Sequence, residues 1–442
     1  MRKRIGAALR VLRGEVRKDE SAHIWAGYTS DALQLAQIID CRPEEITRQQ
    51  QHPERVSANA NDRVCAWYLP CFDNPFYGGV MTILRLAESL KRRYGVRQRF
   101  LICGATNAAD MQRMLGTAFP GLAECEVLIL DSGEAIQSIP PSDYSVATLW
   151  TTAYVVLGVQ NTGLKFYIIQ DFEPAFYPAG STYAQAELTY RFGFLGICNT
   201  QTLKQMYEKE YGGSAVLLQP NVDRTVFYQD EAARDDDAMV KRLFYYARPG
   251  TPRNGFELAA AALRRVKAHF GPRVQIICAG TGWNPNDYNL QNVVESIGLL
   301  PYRETANLYR SCHAGFVMMM TKHPSYLPFE LMACGTTVVT NYNQANTWLL
   351  RDGVNCLLSP PSASCLARTL IFALEHHHNL QPIRDEASEN IRSMPDWDQS
   401  LARIAEFMET PKLPETQQTF SGGFFAERTT YPPRNNLPFG AP

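Results

Sequence analysis

From Arg63 onward, short apolar runs alternate with amphipathic segments along the chain. In Val80–Arg93 the apolar residues recur three and four positions apart, a spacing that predicts a helix. Alternation of short apolar runs with such helices predicts a parallel sheet covered by helices on both faces. The strands predicted in the first half are Val64–Leu69, Phe100–Cys103, Val127–Leu130, Val146–Leu149, Phe166–Ile169, Leu195–Cys198 and Ala215–Leu218.

The same alternation restarts after an acidic segment at residues 230–237. The fold class predicted is therefore α/β, with two doubly wound, Rossmann-like domains over residues 63–228 and 229–395, followed by a helix over 396–409. Small ligands bind such sheets beyond the carboxyl ends of their strands, so we expect the site in a cleft between the domains. The second set of predicted strands is Leu243–Ala247, Val274–Ala279, Gly315–Met319, Thr337–Thr340 and Asn355–Leu358, and its predicted helices are Gly255–His269, Tyr302–Ser311, Ser362–His376 and one extending in both directions from Glu330–Ala333.

Both ends of the chain differ from this pattern. Residues 1–62 are predicted to form an extension, and residues 410–442, rich in Pro, Gly and polar side chains, a tail without a core of its own. Seven of the first 18 residues are Arg or Lys. Residues 2–18 are predicted to form a basic amphipathic helix that packs on the main body or lies on an anionic membrane surface; a disordered arm is the third alternative. The apolar face of the helix consists of Ile5, Ala8, Leu9, Leu12 and Val16.

Composition narrows the class of protein. A chain of 442 residues, 45% of them hydrophobic, is long enough for two separate cores. The net charge of −1 argues against a nucleic-acid partner. Eleven cysteines without a CxxC pair indicate reduced thiols, and no apolar run is long enough to span a membrane. We expect a cytoplasmic protein, free or attached peripherally to the inner face of the membrane.

Two glycine-containing turns and one cationic loop carry candidate chemistry. In "FYGGVMTILRLAESL" (76–90), Gly78 and Gly79 open a helix, where bare backbone N–H groups favour an anion; a plain tight turn is the alternative. In "YYARPGTPRNGFELAAAAL" (245–263), Arg248 and Arg253 follow a strand, and two guanidinium groups there suit a diphosphate, although surface charge is the simpler interpretation. "ICAGTGW" (277–283) is a further strand-to-turn segment that either approaches phosphate or only turns.

The stretch "MMMTKHPSYLPFELMACGTTVVTN" (318–341) predicts a strand, a loop, a short helix and a second strand. Glu330 is predicted near the start of that helix. A carboxylate there either caps the helix or holds a sugar hydroxyl.

Taken in order, these motifs resemble the GT-B glycosyltransferases, in particular glycosyltransferase family 4, over residues 63–409. Lys322 stands where that family has the first of two glutamates eight residues apart, and Glu330 matches the second. "IQDFEPAFYPAGS" (169–181) and "HPSYLPFELMACG" (323–335) look like segments of rhamnosyltransferases that build bacterial surface rhamnans from dTDP-β-L-rhamnose. The other matches are Gly78-Gly79, Gln170-Asp171, the turn Pro220-Asn221-Val222-Asp223 with Phe227, and the pair Arg248 and Arg253.

The resemblance implies a retaining transfer of L-rhamnose from a nucleotide sugar to a glycan or lipid-linked glycan. It implies no cofactor, and the sequence shows no Asp-x-Asp motif after a strand, so we expect no essential metal. The candidate catalytic residues are Arg248, Arg253 and Asp171. Glu173, Phe172 and Tyr177 follow the same strand as Asp171 and are candidate acceptor-binding residues; a capping or turn role for Asp171 and Glu173, and core packing for the aromatic residues, are the alternatives. The implied donor-binding residues are Gly78, Gly79, Gly280, Gly282, Leu300, Lys322, His323, Ser325, Tyr326 and Glu330.

Three alternatives stay open at this point. The donor could be another UDP- or GDP-sugar. Because Lys322 replaces a glutamate, the protein could bind a sugar nucleotide without catalysis. An epimerase of the same fold is the third.

Overall fold

A computed structural model describes residues 31–51 and 62–411. Two parallel sheets flanked by helices confirm the α/β class and the doubly wound pattern. The predicted basic helix within residues 2–18 and all but the first two residues of the predicted tail lie outside the described residues.

The strands follow the predicted order along the chain. Their bounds are β1 (Val64–Pro70), β2 (Arg97–Cys103), β3 (Glu126–Leu130), β4 (Ser142–Ala147), β5 (Thr162–Ile169), β6 (Leu195–Cys198), β7 (Ala215–Leu217), β8 (Lys241–Tyr246), β9 (Val274–Ala279), β10 (Glu295–Ser296), β11 (Ala314–Val317), β12 (Thr337–Asn341) and β13 (Leu357–Ser359).

Helices connect most of these strands. Those in the described residues are α1 (Ala32–Ile38), α2 (Pro43–Gln51), α3 (Gly78–Tyr94), α4 (Ala108–Ala118), α5 (Gly133–Gln137), α6 (Trp150–Gly158), α7 (Ser181–Leu188), α8 (Gln201–Tyr211), α9 (Phe256–Phe270), α10 (Tyr302–Arg310), α11 (Leu327–Ala333), α12 (Ala363–Glu375), α13 (Gln381–Ser393) and α14 (Trp397–Glu409).

The strand order places the loops that matter for function. One sheet has the order β3-β2-β1-β4-β5-β6-β7 and the other β10-β9-β8-β11-β12-β13. In the second sheet the order reverses between β8 and β11, which pair in parallel. Loops that leave the carboxyl ends of two such neighbouring strands diverge and open a crevice. The loop carrying Arg248 and Arg253 follows β8, and the loop that begins at Met318 follows β11.

The prediction of a strand over Val146–Leu149 was wrong at both ends. The strand is Ser142–Ala147, and Leu149 immediately precedes helix α6. Two of its residues are buried serines that interrupt the apolar pattern. Ser142 and Ser145 share hydrogen bonds with Thr162 at 3.0 and 2.8 Å, which allows polar side chains inside the sheet.

The described residues form two compact units. One comprises the residues up to Pro75 together with Leu90–Lys165, and the other comprises Phe76–Ser89 together with the residues from Phe166 onward. The first unit includes α1 and α2, and α2 packs against α6. In the second unit, α9 buries Phe256, Leu263 and Val266 against the β8–β9–β11 sheet. The domain boundary near residue 228 stays a prediction.

Candidate functional site

All the segments described below belong to the second compact unit. Two successive turns shape the loop after β8. The Thr251 N–H donates to the Arg248 carbonyl and the Asn254 N–H to that of Thr251, each at 3.0 Å. The half-buried Arg253 guanidinium lies 4.3 Å from the centroid of the Phe176 ring. The Arg248 Nη1 lies 3.5 Å from the Tyr246 hydroxyl. The stiff Pro-containing loop therefore holds both predicted cations at the carboxyl end of β8.

Two asparagine side chains, those of Asn341 and Asn343, hydrogen-bond the backbone of the loop after β11. The Asn341 side chain accepts from the Met319 N–H at 2.9 Å and donates to the Met319 carbonyl at 3.0 Å. The Asn343 amide donates to the carbonyls of Met319 and Thr321 at 3.2 and 2.6 Å. These bonds satisfy backbone groups that a loop would otherwise leave unpaired in a buried place.

Asp171 ties the segment after β5 to the loop after β11. It is only 8% exposed. One carboxylate oxygen accepts from the Thr321 hydroxyl, and the other accepts from the Lys322 N–H at 3.1 Å and from the Phe172 N–H at 2.8 Å. Burial raises the pKa of Asp171 to about 6, although these hydrogen bonds and the charge of Arg253 oppose the rise. Asp171 therefore positions residues 321–322 in this structure.

Two cationic side chains, Arg253 and Lys322, contact aromatic rings in residues 172–176, the segment that follows Asp171. The Lys322 Nζ lies 5.5 Å from the centroid of the Phe172 ring, and Arg253 lies over Phe176. Both contacts have cation–π geometry. Arg253 and Lys322, from different loops, thus converge on residues 171–176.

The predicted acceptor-binding residues are more buried than an open acceptor surface requires. Phe172 packs edge-on against Tyr183 and Tyr190. The Glu173 carboxylate, only 4% exposed, accepts from the Tyr167 hydroxyl at 2.7 Å. Tyr177 is half-buried. Core packing accounts for Phe172 and Glu173 here, and their acceptor role stays a prediction.

Tyr326 is the centre of a second cluster. Its hydroxyl shares a hydrogen bond with the Thr82 hydroxyl at 2.7 Å and lies 3.3 Å from the Asn199 Nδ2. A Cβ at Gly78 would lie 3.0 Å from the Tyr326 ring. Glycine at this position therefore allows α3 to begin directly against the loop after β11.

The second glycine, Gly79, lies against the side chain of Gln170 at the start of α3. A Cβ at Gly79 would lie 3.3 Å from the Gln170 Nε2, and that amide donates to the Gly79 carbonyl at 3.1 Å. Both glycines therefore permit close packing at the amino end of α3.

The loop after β11 also contains a buried histidine and a residue with an unusual backbone. His323 is 6% exposed, and its Nδ1 accepts from the Ser325 N–H at 2.9 Å. Burial lowers the pKa of His323 to about 3, so the ring is neutral. Ser325 has φ +67°, in the left-handed region that non-glycine residues seldom occupy. Such strain persists where the surrounding contacts impose it.

Glu330 lies inside α11. This helix extends the predicted segment Glu330–Ala333 only toward the amino end, to Leu327, and not in both directions as predicted. The Glu330 carboxyl group is half-buried, and burial raises its pKa to about 8, although the nearby Tyr309 hydroxyl opposes the rise. No backbone N–H donates to it among the described residues, so the structure gives no sign of a capping role.

The remaining predicted donor residues lie around the end of β9. Gly280 has φ +131°, and a Cβ there would lie 2.6 Å from the Tyr246 ring. A Cβ at Gly282 would have no neighbouring atom within 4 Å. Leu300 and Tyr246 are partly buried and pack against an apolar cluster that includes Phe329 and Leu331 of α11. Gly280 thus lies against the residue that also contacts Arg248.

Within residues 31–51 and 62–411, no group of three or more His, Cys, Asp or Glu side chains is arranged to hold a metal ion. The helices in those ranges are too short or too polar to cross a bilayer.

The structure brings seven of the predicted residues together in two clusters and adds several residues that sequence reasoning missed. Arg253, Asp171, Lys322 and Phe172 form one cluster, and Tyr326, Gly78 and His323 form another. The missed residues share one sequence signal, a polar residue within three positions after a predicted strand, where parallel sheets present their ligand-binding loops. They are Asn199, Thr321, Asn341 and Asn343.

Two family models match this chain. Residues 69–201 match the N-terminal domain of WsaF, and residues 241–371 match the C-terminal domain of WsaF. The two matches follow each other in the order of the two sheets. The chain therefore carries both WsaF domains.

Among curated proteins, the chain is 37% identical over 401 residues to the O-antigen biosynthesis protein RfbC of Myxococcus xanthus. The match covers 89% of this chain but only 30% of that relative. This chain therefore spans less than a third of RfbC.

Solved structures support the fold. HepE of Anabaena, crystallised with UDP-glucose, superposes with a TM-score of 0.62 and 17% identity, covering 78% of this chain and 99% of HepE. WaaG, a glycosyltransferase involved in lipopolysaccharide biosynthesis, gives a TM-score of 0.53 and 13% identity, covering 78% of this chain and all of WaaG. The chain has the GT-B fold.

Proposed function

We propose that this chain, a GT-B protein with both WsaF domains, is a glycosyltransferase of bacterial surface-polysaccharide synthesis. The donor would be a nucleotide sugar, as HepE was crystallised with UDP-glucose. The acceptor would be a growing glycan or lipid-linked glycan, a proposal supported by the similarity to RfbC.

One observation carries the proposal. The loops after β8 and β11 leave neighbouring strands at a reversal of strand order. Both contact residues 171–176, and each contributes a cation there. Fixed cations at the carboxyl ends of parallel strands suit the diphosphate of a nucleotide sugar. During transfer, negative charge develops on the leaving diphosphate, and preorganised cations stabilise that charge.

We further propose dTDP-β-L-rhamnose as the donor and retention of its anomeric configuration. Support comes from the segments at 169–181 and 323–335, which resemble rhamnosyltransferases. Arg248 and Arg253 would hold the diphosphate, and Glu330 the ribose. A half-buried carboxyl group whose pKa is about 8 is mostly protonated near pH 7, so it can donate to a hydroxyl as well as accept from one.

A thermal-shift panel of nucleotide sugars tests the proposal. A ligand that binds only the folded state raises the melting temperature. At a concentration 100 times its Kd, such a ligand adds about 2.7 kcal/mol to the free energy of unfolding. We expect dTDP-β-L-rhamnose to raise it more than UDP-glucose or a GDP-sugar. Release of dTDP that depends on an added glycan acceptor would then distinguish transfer from binding alone. If no nucleotide sugar in the panel shifts the melting temperature, the proposal is wrong.

A further inference from the structure

His323 presents a hydrogen-bond donor that has no partner among the described residues. Because the Ser325 N–H can only donate, the Nδ1 of His323 must accept, at 2.9 Å. In a neutral imidazole the other nitrogen then carries the hydrogen. That Nε2 is shielded from solvent and makes no hydrogen bond within residues 31–51 and 62–411. A buried donor without a partner is unusual and calls for an explanation.

Asn199 presents the complementary group. Its side chain is 1% exposed, and its Nδ2 lies 3.3 Å from the Tyr326 hydroxyl. Its Oδ1 is a buried acceptor for which the described part of the chain supplies no donor. The residue directly follows β6, at the carboxyl end of that strand.

Both groups contact the same tyrosine. The His323 ring lies 5.8 Å from the Tyr326 ring, centroid to centroid, and Asn199 contacts the hydroxyl of that tyrosine. Tyr326 is fixed in turn by Thr82 and by the close approach of Gly78. The unpartnered donor, His323 Nε2, and the unpartnered acceptor, Asn199 Oδ1, thus belong to two side chains that contact the same tyrosine.

We propose that His323 and Asn199 are specificity-determining residues that hydrogen-bond hydroxyl groups of the transferred sugar. This inference rests on the proposed glycosyltransferase function and adds which part of the donor is read at this place. A hydroxyl group both donates and accepts, so it can satisfy an N–H and a carbonyl oxygen. Both protein groups are neutral, so they favour an uncharged sugar.

The pair is also placed to distinguish the sugar from the diphosphate. Arg253 and Lys322 belong to the other cluster, with Asp171 and Phe172, and Arg248 lies against Tyr246. Removing a neutral hydrogen-bonding group from His323 or Asn199 should therefore weaken binding of the whole nucleotide sugar but not of the nucleoside diphosphate alone.

The test uses His323→Phe and Asn199→Leu, which remove the hydrogen-bonding groups and keep comparable volume. Calorimetric titration with dTDP-β-L-rhamnose and with dTDP, and with UDP-glucose and UDP, gives the dissociation constants. We expect each variant to bind the nucleotide sugar roughly tenfold more weakly, the size of one buried hydrogen bond. Binding of the matching nucleoside diphosphate should change less than about twofold. His323→Gln, which can place an N–H near the same position, should restore part of the affinity.

Three results separate the possible failures. If wild-type protein binds neither nucleotide sugar, the proposed function itself is wrong. If wild type binds but the variants lose sugar and diphosphate affinity equally, or lose neither, the specificity role is overturned. A fall in melting temperature without discrimination between the two ligands likewise overturns it, because it shows a purely structural role. The control His376→Phe makes the same change on an exposed ring and should leave both affinities unchanged.

Discussion

Asp171→Asn is expected to stabilise the protein increasingly as the pH rises. The asparagine keeps the size of the side chain, one oxygen for the N–H groups of Phe172 and Lys322, and an amide that can donate to the Thr321 hydroxyl. What it removes is a buried negative charge. The variant therefore isolates the effect of ionisation at this position.

The magnitude follows from the pKa of Asp171. Burial places it at about 6 in the folded protein, against 3.8 for the ordinary group. Between these values the folded state binds more protons than the unfolded state, so the contribution of Asp171 to stability is greatest below 3.8 and falls as the pH rises to 6. At about 1.4 kcal/mol per pH unit the full difference is about 3 kcal/mol. Arg253 is the charged side chain that opposes this shift.

Urea unfolding of both proteins between pH 4 and pH 8 measures the effect. We expect the stability of Asp171→Asn relative to wild type to increase by about 2–3 kcal/mol across this range. Asp287→Asn, which neutralises an exposed carboxylate, provides the control profile for loss of one charge. A relative stability that does not change with pH would refute the reasoning. A relative stability that falls as the pH rises would show that Arg253 outweighs burial and that Asp171 is held as an ion pair.

Three further substitutions test other contacts. Glu330→Gln should gain stability relative to wild type as the pH rises from 4.5 to about 8, because burial raises the carboxyl pKa from 4.5 to about 8 and the unfolded state releases the proton first; a variant less stable than wild type at pH 7, by about 0.5–2 kcal/mol, would instead indicate a helix cap. Gly78→Ala puts a methyl group 3.0 Å from the Tyr326 ring and should cost about 1–3 kcal/mol in chemical unfolding, whereas Gly133→Ala, with open space around it, should cost nothing. Tyr326→Phe should lose about 1 kcal/mol with the Thr82 hydrogen bond, and unchanged stability would mean that this bond does not hold the loop.

The alternation of apolar runs and amphipathic segments was sufficient to predict two parallel sheets, because strands buried on both faces are nearly continuous in apolar residues. It was insufficient at β4, where Ser142 and Ser145 are buried but bond to Thr162 across the sheet. Patterns along one strand do not show which hydroxyl a neighbouring strand will supply.

The candidate site was predictable to a similar degree. Arg253 and Gly78 could be selected because their position after a strand has a direct chemical meaning. The asparagines that hold the loop after β11 could not, since their role depends on backbone groups of Met319 and Thr321 that only the folded loop brings near. Likewise, spacing alone did not show that Asp171 would be engaged by the loop after β11.

Arg253→Ala offers the most direct measurement of the central claim, that the loop after β8 holds the donor diphosphate. Leaving-group charge grows in the transition state, so turnover should fall more than binding. We expect kcat to fall about 100-fold, equivalent to about 2.7 kcal/mol, with a smaller rise in the dissociation constant of the donor. Arg253→Lys should recover part of the loss, and Arg368→Ala, on the exposed face of α12, should change neither quantity. Near-normal turnover in a folded Arg253→Ala protein would contradict the claim and place the diphosphate elsewhere.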